Sequence, residues 1–200
     1  YLTKRINVMI KVLIGMMLLA CGMLAVGDWK VDPKGSHIGF ASIKNDLIPE
    51  NHTFTEISGT VSEKGIAQIN VKLASVETLI PIRNERMQNM LFNVSEFPTA
   101  SIRSQVPIDQ ISIIAEGDNL TLNIDIVIDL HGNELRKSVP VKVTKLGKNK
   151  YDVTSLGPII VHASQFSLSS GVESLRQIAG LLSIDLMVPV TFDLRLVTGN

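Results

Sequence analysis

Cysteine and aromatic residues are scarce in this sequence. Cys21 is the only cysteine among 200 residues, and it lies in an apolar run near the start of the chain. No intrachain disulfide can therefore form. Aromatic residues make up 4% of the chain, which argues against a surface that binds nucleic acid by stacking its bases.

An excess of charge of either sign is also lacking, since the formal net charge is zero. The two parts of the chain nevertheless differ. Residues 1–27 contain Lys4, Arg5 and Lys11 and no acidic residue, which leaves 16 basic and 19 acidic residues in 28–200. With this slightly acidic body, neither nucleic acid nor an anionic membrane surface is expected as a partner.

Sequence motifs of catalysis and cofactor binding are missing as well. There is no G-x-S-x-G, no glycine-rich phosphate loop and no dinucleotide fingerprint. The four histidines form no i, i+4 pair, and no cysteine follows Cys21, so the pattern predicts no metal site. We therefore expect no catalytic residue, no metal and no cofactor.

The N-terminal residues are typical of a secretory signal. Basic residues precede the apolar run 12–26, and Ala25-Val26-Gly27 is a small-x-small pattern before Asp28. We predict a signal peptide over 1–27 and a mature domain over 28–200 that is periplasmic or secreted and does not span the membrane. Two alternatives stay open: a lipoprotein anchored at Cys21, and an uncleaved anchor.

Alternation of apolar and polar residues dominates the chain after Asp28. This period of two indicates strands with one buried face. The predicted strands cover 29–32, 36–44, 54–62, 68–76, 99–106, 119–130, 135–146, 151–163 and 184–197, and 45–53 is predicted to be a polar loop.

Strands that are apolar on one face favour a sheet closed on itself, because an open sheet would leave edges and an uncovered apolar face. Helices do not alternate with the strands, so a parallel α/β fold is not expected. The prediction is an all-β antiparallel barrel of about eight strands. Its aliphatic interior could pack solid or leave an apolar tunnel, and the composition favours the solid core.

A helical insert near 82–92 interrupts the strands. Residues 83–91 lack glycine, proline and β-branched side chains, and Met87, Met90 and Leu91 fall on one stripe at i, i+3 and i+4. The pattern predicts a short helix that covers the sheet, and 172–182 could form a second. Arg83 and Arg86 are either a solvated helix face or a pair that holds a polar head group at a cavity mouth.

Five pairs of short segments, in order along the chain, match motifs of one family. They are WKVD at 29–32 with SHIGF at 36–40; Phe54 with SGTV at 58–61; INV at 69–71 with SVET at 75–78; FNV at 92–94 with FPTASI at 97–102, after the helix that Arg83 begins; and LTL at 120–122 with LHG at 130–132. In these residues the chain resembles the YceI-like, polyisoprenoid-binding family.

The resemblance implies a lipocalin-like barrel that encloses a long isoprenoid lipid, of polyprenyl or quinone type, for carriage or sequestration. Arg83, Arg86 and His131 are the candidates for head-group contacts. The candidate apolar lining is Ile38, Phe40, Ile69, Val71, Leu73, Met87, Met90, Leu91, Phe92, Ile124, Ile126, Ile128, Val141, Leu186, Val188, Val190 and Phe192.

Two other functions stay open. One is a solid-core module that uses its loops to bind or inhibit a protein partner. The other is an enzyme acting on a lipid head group, for which no nucleophile and base can be assembled from the sequence. The oligomeric state is open too, a dimer included.

Overall fold

The structure is a computed structural model that describes residues 28–198. The predicted signal peptide, including Cys21, lies outside the described residues. The strands are β1 (Trp29–Val31), β2 (His37–Lys44), β3 (Ile48–Phe54), β4 (Ile57–Val61), β5 (Ile66–Lys72), β6 (Val76–Glu77), β7 (Thr99–Gln105), β8 (Asn119–Leu130), β9 (Asn133–Gly147), β10 (Lys150–Ser155), β11 (Ile159–His162) and β12 (Met187–Thr198).

These strands form one antiparallel sheet that closes into a barrel. The ring runs β1-β4-β5-β7-β8-β9-β10-β12 and returns to β1 through the pairs Trp29↔Thr198 and Val31↔Leu196. Strand β2 pairs with another part of β12 and carries β3 and β6 beside it, and β11 also pairs with β12. The predicted all-β antiparallel barrel of about eight strands is confirmed.

The predicted alternation places aliphatic side chains inside the barrel. On β8, Ile124 is buried while its neighbour Asp125 is exposed, and on β9 Val141 and Val143 are buried while Lys142 is exposed. Strands β8 and β9 pair along twelve residues of β8, from Asn119↔Thr144 to Leu130↔Asn133. Their length and alternation are the reason that sequence reasoning located them well.

Short helices lie at both ends of the barrel. Helix α1 (Pro81–Arg86) continues into a π-helical turn, Met87–Leu91, and α3 (Ser169–Ile178) packs against that turn. We call this the helix-covered end. Helix α2 (Ile108–Ser112) lies at the opposite end, the terminal end, where β1 begins and β12 finishes.

The insert predicted near 82–92 is therefore present, and the second helix begins three residues earlier than the predicted 172. Among the helices of residues 28–198, none has the length and apolar character needed to cross a membrane.

Three local predictions need correction. The predicted polar loop 45–53 contains most of β3, because the inward side of that strand carries polar residues and so lacks an apolar alternation. The predicted strand 151–163 is two strands, β10 and β11, separated by a bend at Leu156-Gly157. Helix α2 was not predicted, since five residues are too few to show a helical period.

Candidate functional site

A cavity of about 600 Å³ runs through the barrel. Its wall includes Trp29 and Ile108 near the terminal end and Arg83 and Ile178 at the helix-covered end. Of the lining predicted from sequence, the cavity is bordered by Ile38, Phe40, Ile69, Val71, Leu73, Met87, Leu91, Phe92, Ile124, Ile126, Ile128, Val141, Val188, Val190 and Phe192.

The interior is thus open, and the expectation of a solid core is wrong. Inward-facing side chains such as Phe40, Ile126 and Val190 are only half-buried although they lie inside the barrel wall, because they face empty space. The volume is within the range of about 300–1,000 Å³ that is typical of small-molecule sites. Aliphatic and aromatic side chains form nearly all of the wall.

The mouth of the cavity lies at the helix-covered end. Exposed lining residues gather there: Ile80 and Ile82 at the start of α1, Ile178 at the end of α3, and Asp185 before β12. At the terminal end the lining residues Val106, Ile108 and Ile111 are all at least partly buried. A ligand would therefore enter between α1, α3 and the β2–β3 hairpin.

A cluster of charged side chains lies at this mouth. Glu50 of β3 accepts a hydrogen bond from Lys44 Nζ at 2.9 Å and another from Arg83 Nη1 at 2.7 Å. Arg83 also donates from Nη2 to the carbonyl oxygen of Thr78 at 2.6 Å. Burial alone would raise the pKa of Glu50, but the bond from Lys44 and the charge of Arg83 outweigh it and hold the pKa below its usual range. Glu50 therefore stays ionised and fixes both cations.

His52 lies one inward position beyond Glu50 on the same strand. Its side chain is buried, with the residue only 5% exposed, and its Nε2 shares a hydrogen bond of 2.9 Å with Ser42 Oγ. Burial lowers the pKa of His52, and the positive charge of Arg83 lowers it further. The imidazole is accordingly neutral at physiological pH.

Two polar atoms of this cluster are buried without a hydrogen-bond partner, His52 Nδ1 and Arg83 Nε. Both residues line the cavity. A buried donor that lacks a partner costs about 1–3 kcal/mol, so an unpaired donor at a cavity wall indicates a place for a ligand's acceptor atom.

The π-helical turn decides which side chains of the insert face inward. The amide of Phe92 donates to the carbonyl oxygen of Met87 at 2.9 Å, an i→i+5 bond that widens the turn. Met87, Leu91 and Phe92 consequently face the cavity, whereas Met90 is 37% exposed and is not part of its wall. The predicted lining role of Met90 is wrong because the prediction assumed the period of an α-helix.

Two other predicted site residues lie elsewhere. Leu186 packs beside the core but does not border the cavity. His131 is in the β8–β9 turn, where its ring lies 4.1 Å from that of Phe97, and the cavity wall does not include it. Arg83 and Arg86, by contrast, both border the mouth.

Sequence reasoning missed Lys44, Glu50 and His52. A signal was present, because Ile48, Glu50, His52 and Phe54 keep the spacing of two along a strand. The polarity of two of these residues concealed the strand. Within residues 28–198, no group of three or more His, Cys, Asp or Glu side chains is placed to hold a metal ion.

The sequence model of the YceI-like domain family matches residues 29–196. A solved polyisoprenoid-binding domain from Saccharophagus degradans, implicated in plant cell wall breakdown, is 30% identical with a TM-score of 0.84; the match covers 86% of this chain and 99% of that one.

Two more distant structures share the fold. BcnA from Burkholderia cenocepacia is 20% identical, with a TM-score of 0.64 over 82% of this chain and 98% of that one. The YceI protein of Campylobacter jejuni is 14% identical, with a TM-score of 0.53 over 74% of this chain and 84% of that one. Comparison with curated protein sequences finds no match. The barrel, its cavity and the match over nearly all the described residues show that this chain belongs to the YceI-like domain family.

Proposed function

We propose that this protein binds a long-chain isoprenoid lipid, of polyprenyl or quinone type, inside the barrel and carries or sequesters it in the periplasm or outside the cell. The observation that carries the proposal is the continuous cavity of about 600 Å³ with an almost wholly apolar wall. The relative from Saccharophagus degradans, described as a polyisoprenoid-binding domain, supports it.

The wall explains how such a lipid would bind without an elaborate polar site. Each CH₂ group that leaves water contributes about 0.8 kcal/mol, so several isoprene units together outweigh the entropy lost on binding. Met87 at the helix-covered end has a flexible, polarizable side chain that adapts to an irregular apolar guest. Binding rather than catalysis is the activity that we propose.

The charged cluster at the mouth would hold the head group. Arg83 Nε is a donor without a partner, and neutral His52 can donate from Nδ1 while Nε2 accepts from Ser42. Lys44, Arg83 and Arg86 supply three positive charges to the wall near the mouth against the negative charges of Glu50 and Asp185. This arrangement suits a head group with acceptor oxygens, such as a quinone carbonyl or a phosphate.

Mass spectrometry of organic extracts from protein purified out of its native host tests the proposal directly. We expect an isoprenoid lipid in the extract. Delipidated protein should also melt at a higher temperature when an isoprenoid quinone is added, because a ligand that binds only the folded state stabilises it. An extract without isoprenoid together with no thermal shift would refute the proposal.

Localisation is tested by N-terminal sequencing of the secreted protein. The signal-peptide pattern over 1–27 predicts that the mature chain begins at Asp28. A lipid-modified Cys21, or a chain that keeps residues 12–26, would contradict this part of the proposal.

A further inference from the structure

Three turns at the helix-covered end each present a leucine to solvent. Leu47 in the β2–β3 hairpin is 85% exposed, Leu79 before α1 is 88% exposed, and Leu182 after α3 is 86% exposed. Single exposed apolar residues are common on protein surfaces. Three at the tips of neighbouring turns form a patch that calls for a physical explanation.

Hydrogen bonds hold the turns of Leu47 and Leu182 together. The amide of Leu182 donates to Asn45 Oδ1 at 2.9 Å, and the amide of Asn45 donates to the carbonyl oxygen of Ser183 at 3.0 Å. Ser183 Oγ donates to Asp46 Oδ1 at 2.5 Å. These bonds fix Leu47 and Leu182 on adjacent turns at the helix-covered end.

The third leucine is held outward by a strained turn. Leu79 has φ = 63°, a left-handed conformation that is unfavourable for a bulky residue. Asn84 Oδ1 accepts from the Thr78 amide at 2.9 Å and from Thr78 Oγ1 at 2.6 Å, which fixes the residue before it. Arg83 ties the same turn to Glu50, on the strand that follows Leu47.

The three turns border the mouth of the cavity. Ile80 follows Leu79 directly and lines the mouth, and Leu181, which precedes Leu182, also lines it. Ile82 and Ile178 are lining residues that are themselves exposed. Exposed apolar side chains at the tips of the turns are thus directly followed or preceded in sequence by apolar residues of the cavity wall.

The chemistry of this rim fits a lipid surface better than a protein. Its exposed apolar residues are leucines on turns and isoleucines at helix ends, whereas the energetic centres of protein interfaces are enriched in Trp, Tyr and Arg set in packed pockets. Fluid acyl chains receive separate aliphatic side chains without needing a complementary shape. Acidic and basic groups mix at the mouth, as Lys44 and Arg83 do with Glu50, so attraction to anionic lipids is not required.

We propose that Leu47, Leu79 and Leu182 form a membrane-docking rim that inserts into the surface layer of a bilayer. The mouth then opens onto the acyl chains, and an apolar ligand passes between bilayer and cavity without crossing water. The purpose of docking rests on the proposed lipid carriage, but the docking itself is measured without any ligand.

Flotation with phosphatidylcholine vesicles tests the rim. Protein beginning at Asp28 is suitable, because all the pairings that close the barrel lie in residues 28–198. The Saccharophagus degradans relative was also solved as a domain, and the match covers 99% of it. We expect the wild type to float with the vesicles. Leu47→Ser, Leu79→Asn and Leu182→Ser should each weaken binding on the order of tenfold, and the triple variant should stay in solution.

Ile113→Ser is the matched control. Ile113 is 83% exposed but lies beside α2 at the terminal end, so this variant should float like the wild type. Asparagine is chosen at Leu79 because it tolerates positive φ, and unchanged melting temperatures will show that the variants fold. Added salt or anionic phosphatidylglycerol should change binding little.

The outcomes separate docking from ligand binding. The triple variant should keep the thermal shift with an isoprenoid quinone that the wild type shows. Three results would each refute the docking proposal: wild type that does not float, a triple variant that floats as well as wild type, or an Ile113→Ser variant that loses as much vesicle binding as the rim variants. Docking on a protein instead of on vesicles would overturn it too. A retained thermal shift in those cases would leave the proposed lipid binding standing.

Discussion

His52 occupies an inward position of β3 and is buried there, so its protonation is linked to folding. Burial, and then the charge of Arg83, lower the pKa of this imidazole in the folded protein. In the unfolded chain the same group takes up a proton near pH 6.5, roughly the ordinary value for histidine. Folding is therefore linked to the loss of a proton from His52 at mildly acidic pH.

We predict that the free energy of unfolding falls as the pH drops below about 6.5, by up to about 1.4 kcal/mol per pH unit, until the pH reaches the lowered pKa of the folded state. Denaturant titrations at a series of pH values measure this. His52→Gln should remove that part of the slope. Glu50, whose pKa is also lowered, reduces the free energy of unfolding only at more acidic pH, below about 4.5, where its carboxylate begins to be protonated in the unfolded chain. An identical slope between pH 7 and 5 in both proteins would contradict the assignment to His52.

Arg83 allows a test of head-group recognition. Arg83→Lys keeps the positive charge beside Glu50 but removes the unpaired Nε–H. We expect an isoprenoid quinone to bind about tenfold more weakly, since a hydrogen bond from a charged donor contributes about 1.5–3 kcal/mol. Squalene, an isoprenoid without a polar head, should bind both proteins equally. Equal losses for the two ligands would show a packing defect and not lost head-group contact.

Individual polar residues of the site were the hardest feature to predict from the sequence. Arg83 and Arg86 were identified as candidates because two guanidinium groups on the predicted helix could hold a head group at a cavity mouth, and both border the cavity. Glu50 and His52 were passed over because hydropathy alone does not distinguish an inward polar strand from a loop. Only the pairing of β3 with β2, Phe40↔His52 among them, shows which way these side chains face.

The π-helical turn and α3 pack closely against each other at the helix-covered end. Gly171 of α3 lies against the turn so tightly that a Cβ there would be 2.7 Å from the carbonyl oxygen of Met90 and 2.9 Å from Leu91 Cα. Both are backbone atoms and cannot simply rotate away. The two elements that cover the mouth are therefore held as one unit by the absence of a side chain.

Gly171→Ala should separate these elements and lower the free energy of unfolding by about 1–3 kcal/mol, the usual cost of overpacking. Thermal melting and hydrogen exchange of Met87–Leu91 measure the effect. Gly157→Ala is the control, since a Cβ at Gly157 would meet nothing within 4 Å, and it should change stability by less than about 0.5 kcal/mol. Equal stability of the two variants would mean that the contact is loose.

Elements with a long, regular period were predictable, and those with an irregular one were not. Strand β8 was located at its observed bounds because twelve residues alternate without a break. The helical insert was found, but its π-turn was not, since nothing in the residues 87–91 reveals an i→i+5 bond before α3 is in place. Tertiary packing set the phase of that turn and so turned Met90 outward.

For the whole molecule, the size of the cavity is the decisive property. Ile126 is a half-buried lining residue on β8 that faces empty space. Ile126→Phe should fill part of the cavity and raise the melting temperature of ligand-free protein by a few degrees. It should also weaken the binding of a long isoprenoid. Calorimetry and ligand titration check both effects. Lower stability combined with unchanged affinity would show that the space beside Ile126 is not available to a ligand.

The amino-acid composition could not predict that the interior of the barrel is open. The same aliphatic side chains would fill a narrower barrel completely, and the free space depends on how many strands close the ring and how they tilt. Trp29 and Ile178, on opposite ends, border one cavity only because β1 finds both β4 and β12 as neighbours. That closure joins residues at the two extremes of the described chain.

The pairing of β1 with β12 also determines when the barrel can close during folding. Trp29 must meet Thr198 before the ring is complete, so β12, the last strand of the described residues, is required before β1 can pair along both of its edges. Contacts of such long sequence separation make folding slow, in the range of milliseconds to seconds for β-rich domains. An emerging chain without β12 has an open edge and no barrel. The barrel and the cavity inside it therefore form only when β12 is available to pair with both β10 and β1.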